Sequence, residues 1–174
     1  MRLLLTGNRG RVGPGLEAGL VAHGHDVVGF DRADGGDVLD PAALRAAARG
    51  CAAAVHLAAI SSDRRAAPDE VVRTNVVGTW NLLCAAEAEA MERVVVMSSV
   101  NALGIFLGQG RPERLPIDDD HPARPRGAYG TSKLLCEQLC RSWSAASGIP
   151  SVCLRPPAML LASDYETLIR DTGH

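Results

Sequence analysis

Short, unbroken apolar runs alternate with longer Ala/Leu-rich stretches along this chain. Leu3-Leu4-Leu5, Val27-Val28-Gly29-Phe30 and Val94-Val95-Val96-Met97 are such runs. They are continuous rather than alternating, the pattern of strands covered on both faces of a parallel sheet. Strands are predicted at about 1–6, 26–30, 53–58, 93–97 and 150–154, with a short one near 36–38. Helices are predicted at about 11–23, 41–49, 69–90 and 128–147. The β/α alternation predicts an α/β fold, a doubly wound parallel sheet with right-handed crossovers. Pro14 is expected in the first helical turn, where a missing N–H costs little. The stretch from Leu103 to Arg126 is irregular, with Gly104, Gly108, Gly110, Pro112, Pro116, Pro122 and Pro125. Loops of that length in a compact domain usually carry function.

Composition narrows the class. A chain of 174 residues, 47% apolar, suits one domain with a real core. A net charge of −2 gives no reason to expect nucleic acid as a partner. No apolar run approaches the roughly 18 residues of a membrane span, and Leu3-Leu4-Leu5 is too short for a signal peptide. Five scattered cysteines without a Cys-x-x-Cys pair fit free thiols in a reducing cytosol, so a cytoplasmic location is expected. Cys136 and Cys140, one helical turn apart, read as packing residues. Asp118-Asp119-Asp120-His121 has metal-ligand chemistry, but consecutive loop residues rarely converge on an ion, and no metal is expected.

The first strand runs into Thr6-Gly7-Asn8-Arg9-Gly10-Arg11-Val12-Gly13, and a helix opens behind it. This order suits a dinucleotide pyrophosphate. Gly7 allows the tight turn, Gly10 the backbone approach and Gly13 close helix packing, while helix-start N–H groups face the anion. Arg9, Arg11 and Val12 belong to the same binding turn. Asp31 ends the second strand, 18 residues after Gly13, where a carboxylate accepts hydrogen bonds from the adenosine ribose. NAD is expected in preference to NADP, although Arg32 beside it could pair with a 2′-phosphate.

Tyr129 and Lys133 are four apart and share a helical face. A free tyrosine titrates near 10, and a nearby ammonium favours the phenolate. The pair can take a proton from a hydroxyl while hydride leaves the same carbon. Ser99, just past the fourth long strand, can orient the reacting oxygen. The carboxyl ends of parallel strands are where ligands sit.

With these motifs, the chain resembles the extended short-chain dehydrogenase/reductases of the NAD-dependent epimerase/dehydratase family. The likeness rests on Thr6-Gly7-x-x-Gly10-x-x-Gly13, Asp31, Gly36-Asp37-Val38, Val55-His56-Leu57-Ala58-Ala59, Asn75-Val76-x-Gly78-Thr79, Ser98-Ser99, Tyr129-x-x-x-Lys133 and Leu154-Arg155-Pro156. It implies a Rossmann fold with Asp37 and Val38 bordering the adenine. Leu57, Ala58 and Ala59 would line the pyrophosphate and ribose, and Lys133 would hold the nicotinamide ribose. Asn75 would lie on the helix beneath the site, as a cofactor-side residue or a plain helix-surface Asn. His56 reads as packed in the sheet rather than as a base.

The resemblance also sorts reactions. Related 4,6-dehydratases carry Asp-Glu after the hydroxyl residue, where Val100 and Asn101 stand here, so dehydration is not expected. Epimerases close this turn with Tyr-Gly, and here it is Leu103-Gly104. Sugar and uronate dehydrogenases approach the tyrosine as Pro122-Ala123-Arg124-Pro125-Arg126-Gly127-Ala128-Tyr129 does. Oxidation or reduction of a sugar-like hydroxyl or carbonyl is therefore the first expectation. A nucleotide-sugar 4-epimerase and a non-catalytic dinucleotide-binding module are the alternatives. The resemblance implies a homodimer through the two long helices, and Leu134, Leu135, Leu139 and Trp143 are its expected apolar surface. It implies further that related chains continue about a hundred residues past Leu154-Arg155-Pro156. Residues from about 156 to 174 would then be a truncated start of the substrate subdomain.

Overall fold

The computed structural model describes residues 1–105 and 110–157, together with Met159 and Asp164. Five parallel strands form one sheet: β1 (Arg2–Thr6), β2 (Asp26–Phe30), β3 (Ala53–His56), β4 (Arg93–Met97) and β5 (Ser151–Leu154). Their order is β2-β1-β3-β4-β5. The chain steps outward from β1 to β2, then crosses back to place β3 on the other side of β1. That reversal opens a crevice at the strands' carboxyl ends, between β1 and β3, where a parallel sheet receives ligands.

Helices α1 (Gly13–Ala22), α2 (Pro41–Ala48), α3 (Pro68–Val72), α4 (Gly78–Ala88) and α5 (Gly127–Ser147) connect the strands. The core lies on one face of the sheet. Leu44 of α2, Leu82 and Leu83 of α4 and Trp143 of α5 pack on Leu4, Ala54, Val94 and Val96. Strand residues alternate between faces, so Val55, Val95, Val152 and Leu154 point the other way. Coverage of both faces, expected from the apolar runs, is incomplete there among the described residues: Val152 and Leu154 are 53% and 45% exposed. On that side α1 buries only Gly13 fully. Pro14 occupies its first turn, as expected.

Three expectations are corrected. The helix foreseen over 69–90 is interrupted between α3 and α4 by a π turn, Arg73–Val77. The Thr79 hydroxyl donates to the Asn75 carbonyl at 2.7 Å, and the Cys136 thiol does so at 3.3 Å. Side-chain donors entering the ladder are a recognised cause of such bulges. The strand near 36–38 does not form. A 3-10 turn, Arg32–Asp34, comes first, and the Asp37 carboxylate then accepts the Leu39 N–H at 2.9 Å, an Asx turn. Third, Trp143 is core rather than free surface, 4% exposed, and its indole N–H donates to Glu87 at 3.1 Å. Part of the Leu103–Arg126 loop and most of 158–174, expected to begin the substrate subdomain, lie outside the described residues.

Candidate active site

The turn after β1 is built around backbone proximity. Gly7 adopts φ +75°, and a Cβ there would come within 2.5 Å of the Ala58 nitrogen, so the turn can pass the end of β3 only without a side chain. A Cβ at Gly13 would overlap the Asn8 backbone, which lets α1 start tight against the turn. Among the described residues, the Arg11 and Val12 N–H groups have no backbone partner. Both residues line a cavity of about 480 Å³. Unpaired helix-start amides beside such a cradle fit a pyrophosphate.

Ser99, Tyr129 and Lys133 line that same cavity together with Gly7, Gly10 and Leu57. A second cavity of about 200 Å³ shares Gly7, Gly10, Leu57 and Ala59 with it and extends along Asp31, Val38 and Ala58. The two make one elongated groove over the carboxyl ends of β1, β2, β3 and β4. A cleft of about 660 Å³ along β5 is larger, but its lining holds neither the glycine turn nor any of the three candidate catalytic residues. Size is a poorer guide here than chemistry.

At one end of the groove, Ser99 follows β4 and its Oγ accepts the Asn101 N–H at 3.1 Å. Burial pushes the Tyr129 phenol above its ordinary value, and a hydrogen bond from Ser99 pulls it partway back. Lys133 is buried, and burial lowers its own pKa against the nearby Cys136, Cys153 and Glu137. Its Nζ donates to the Met97 carbonyl at 2.7 Å and stands 5.9 Å from the tyrosine ring centroid. The ammonium is thus turned to the end of β4 while remaining on the tyrosine's side of the helix.

At the other end of the groove, the Asp31 carboxylate accepts the Ala33 N–H at 2.9 Å on one oxygen and the Arg9 N–H at 3.0 Å on the other. Each oxygen keeps a lone pair for a ribose hydroxyl. The Arg9 side chain turns away to Asp34, 2.7 Å. Asp37 stands 3.6 Å from Arg32, and neither cavity's lining includes it. Asn75 is buried beneath the site. Its amide oxygen accepts the Ile60 N–H at 2.8 Å, and its nitrogen donates to the Ile60 carbonyl at 3.1 Å and to Ser132 at 2.8 Å. It holds the loop after β3 against α5.

Other supports carried no motif. The Glu137 carboxylate accepts from Ser98 at 2.5 Å and from two Arg155 nitrogens at 2.9 and 2.7 Å, tying the ends of β4 and β5 to α5. Helix α5 lacks a side-chain cap of its own, and Asp63 supplies one by accepting the Tyr129 N–H at 2.6 Å. His56 is fully enclosed, 2.6 Å from the Thr6 hydroxyl, and burial drives its pKa down to about 3, with Lys133 adding to the shift. The Asp118–His121 run is used locally. Asp118 pairs with Arg114, and His121 bonds the Glu113 N–H and the Pro122 carbonyl.

The five parallel strands with flanking helices define a Rossmann-like domain. The profile of the NAD dependent epimerase/dehydratase family matches residues 3–170, and the chain belongs to that family. A UDP-glucose 4-epimerase of Corynebacterium glutamicum is 33% identical over 171 residues, 89% of this chain and 50% of that protein. A uronate dehydrogenase of Agrobacterium fabrum is 33% identical over 119 residues, 68% of this chain and 42% of that protein. A short-chain dehydrogenase/reductase superfamily protein from Agrobacterium tumefaciens, solved with bound NAD, superposes with a TM-score of 0.79 at 37% identity, covering 89% of this chain and 48% of that one. The chain thus spans about half the length of these relatives.

Proposed function

We propose that this chain carries the cofactor site and catalytic residues of an NAD-dependent oxidoreductase acting on a hydroxyl or carbonyl of a sugar-like substrate. The observation that carries this reading is the shared cavity of the glycine turn with Ser99, Tyr129 and Lys133. Ser99 would hold the substrate oxygen. Tyr129 would take the hydroxyl proton as the C–H bond breaks, and Lys133 would hold the ribose and keep positive charge nearby. When bound, an oxidised nicotinamide supplies the hydride acceptor. A nucleotide-sugar 4-epimerase is the second reading, favoured by the Corynebacterium relative. Leu103-Gly104 in place of Tyr-Gly weighs against it. A non-catalytic dinucleotide-binding module would leave the trio without a use. A screen of sugars, uronates and nucleotide sugars by absorbance of reduced cofactor tests the reading, with NAD binding but no turnover on any of them as the adverse result.

Asp31 should favour NAD, because its carboxylate repels a 2′-phosphate. Calorimetric titration should show tighter NAD than NADP binding, and Asp31→Ala should narrow the gap; tighter NADP binding by the parent chain would overturn the claim. A homodimer is also proposed. Val77 and Trp80 of the π turn and α4 and Leu135 of α5 are 43%, 46% and 41% exposed, more apolar surface than isolated positions explain. Light scattering at micromolar concentration should give twice the chain mass, and Trp80→Glu with Leu135→Glu should return it to one. A parent chain that is monomeric there sinks the proposal.

A further inference from the structure

Cys136 and Cys140 stand one helical turn apart on α5, but their surroundings differ. The Cys136 thiol donates to the Asn75 carbonyl at 3.3 Å and stands 3.3 Å from the Thr79 hydroxyl. Cys140 instead meets β5. It lines the cleft of about 660 Å³ along that strand, and so does Cys153. Both are free thiols.

Two contacts fix how α5 crosses β5. The Ser144 and Ser151 hydroxyls meet at 2.6 Å, and the Ser151 hydroxyl also donates to the Cys140 carbonyl at 3.2 Å. Farther along, Glu137 and Arg155 meet at 2.7 Å. Glu137, Cys140 and Ser144 recur at helical spacing and share one face of α5. Ser151, Cys153 and Arg155 are alternate residues and share one face of the strand. The two rows pair in reverse order, Ser144 with Ser151 and Glu137 with Arg155. Cys140 and Cys153 are the middle members of the two rows, held between a hydrogen bond on one side and an ion pair on the other. Cys140 is 1% exposed, while Cys153 is only partly buried against the same core.

We propose that Cys140 and Cys153 form a reversible disulfide tying α5 to β5, in which Cys153 meets a peroxide oxidant and Cys140 resolves the product. Exposure assigns the roles, since Cys153 is open to the cleft and Cys140 is enclosed. The polarity of the pair agrees. A hydrogen bond from Cys140 holds the Cys153 thiol below its ordinary value, with Arg155 and Lys133 adding to the shift against burial and Glu137. The same bond, with burial, pushes Cys140 up. The thiolate is the reactive form, so Cys153 is the nucleophile. Its sulfur attacks one oxygen of hydrogen peroxide, the O–O bond breaks, and the departing hydroxide takes the Cys153 proton to leave as water. The Cys140 sulfur then attacks the Cys153 sulfenic acid. The S–S bond forms, the S–O bond breaks, and a second water carries off the Cys140 proton. Two electrons pass from the sulfurs to the peroxide, and a dithiol reductant returns them. The tie fastens the helix that carries Tyr129 and Lys133 to β5, whatever the groove binds.

The full chain, reduced and then freed of reductant, is treated with equimolar hydrogen peroxide. Of its five thiols, two should disappear, and dithiothreitol should restore both. Peptide mass mapping should find the segments of Cys140 and Cys153 joined, two hydrogens lighter than their sum, with fragmentation placing the link on Cys140 and not on Cys136. In Cys140→Ser the reaction should stop at Cys153, where dimedone traps the sulfenic acid. In Cys153→Ser, Cys140 should remain a thiol. The urea midpoint of the parent chain should rise on oxidation and fall back on reduction, as for a cross-link that restricts the unfolded chain. Oxidation confined to the exposed Cys84, a link to Cys136, or a disulfide between two chains overturns the inference. So does a Cys153 sulfenic acid that persists in the parent chain beside a reduced Cys140, because the two thiols then do not meet. A disulfide that forms but lowers the midpoint is a forced link, and it overturns the inference equally.

Discussion

Tyr129→Phe is expected to lower turnover by about 10²–10⁴-fold, the usual loss when general acid–base catalysis is removed, with NAD affinity little changed. The ring and its packing survive the substitution. What goes is the phenol hydroxyl, the group proposed to exchange the proton. Lys133→Met should differ in kind and weaken both NAD binding and turnover, because its ammonium would serve ribose and catalysis together. The pH profile supplies a second reading. Oxidation needs the phenolate, so the rate should rise with pH. Burial raises the Tyr129 pKa, which moves that rise to higher pH than a free tyrosine would give. Ser99→Ala removes the opposing hydrogen bond and should move it higher still. Initial rates across pH with the best substrate of the screen, beside a fluorescence titration of NAD, measure both effects. Undiminished turnover in Tyr129→Phe would place the chemistry elsewhere.

The strands were legible because their sequence signature is physical. Leu4, Ala54, Val94 and Val96 lie under three helices, and the runs that carry them have almost no polar positions. The errors arose where an apolar residue is buried by something other than a strand neighbour. Val38 suggests a strand, yet it is buried beneath the start of α4, where a Cβ on Gly78 would come within 2.6 Å of it. Its carbonyl accepts from Asn81 at 2.9 Å, a helix side chain instead of a ladder. The π turn was invisible for a related reason. One of its causes, Cys136, lies 61 residues from the carbonyl it bonds.

The site was legible as motifs and opaque as directions. Spacing placed Tyr129 and Lys133 on one helical face, but spacing does not say where a lysine aims its Nζ, and here it aims at Met97. Glu137, four residues beyond Lys133, continues the same face and could have been noticed by extending the four-residue step. Asp63 offered no such handle. It sits in a loop without periodicity, and its importance comes from contact with α5. The glycine turn read most clearly, because close backbone approach can be met only by glycine.

Glu137→Ala should be among the most destabilising single changes in this chain, costing about 3–5 kcal/mol, the range for breaking a buried ion pair from one side. The Glu137 side chain is 7% exposed and that of Arg155 21%, so water cannot readily replace the lost partner. Arg155 would keep one bond, to the Asp119 carbonyl at 3.3 Å, and Ser98 would lose its acceptor. Both sit at strand ends that frame the groove, and Ser98 adjoins Ser99. Activity per folded molecule should therefore fall more than NAD affinity does. Replacing both partners by apolar residues, Glu137→Leu with Arg155→Met, should recover most of the stability, since no charge is then left buried alone. That double change should not recover activity if the carboxylate also fixes the end of β4 through Ser98. Urea unfolding midpoints of the two single variants and the double variant give the coupling directly. A cost below about 1 kcal/mol for Glu137→Ala would mean that the pair behaves as an exposed one and does not hold the groove.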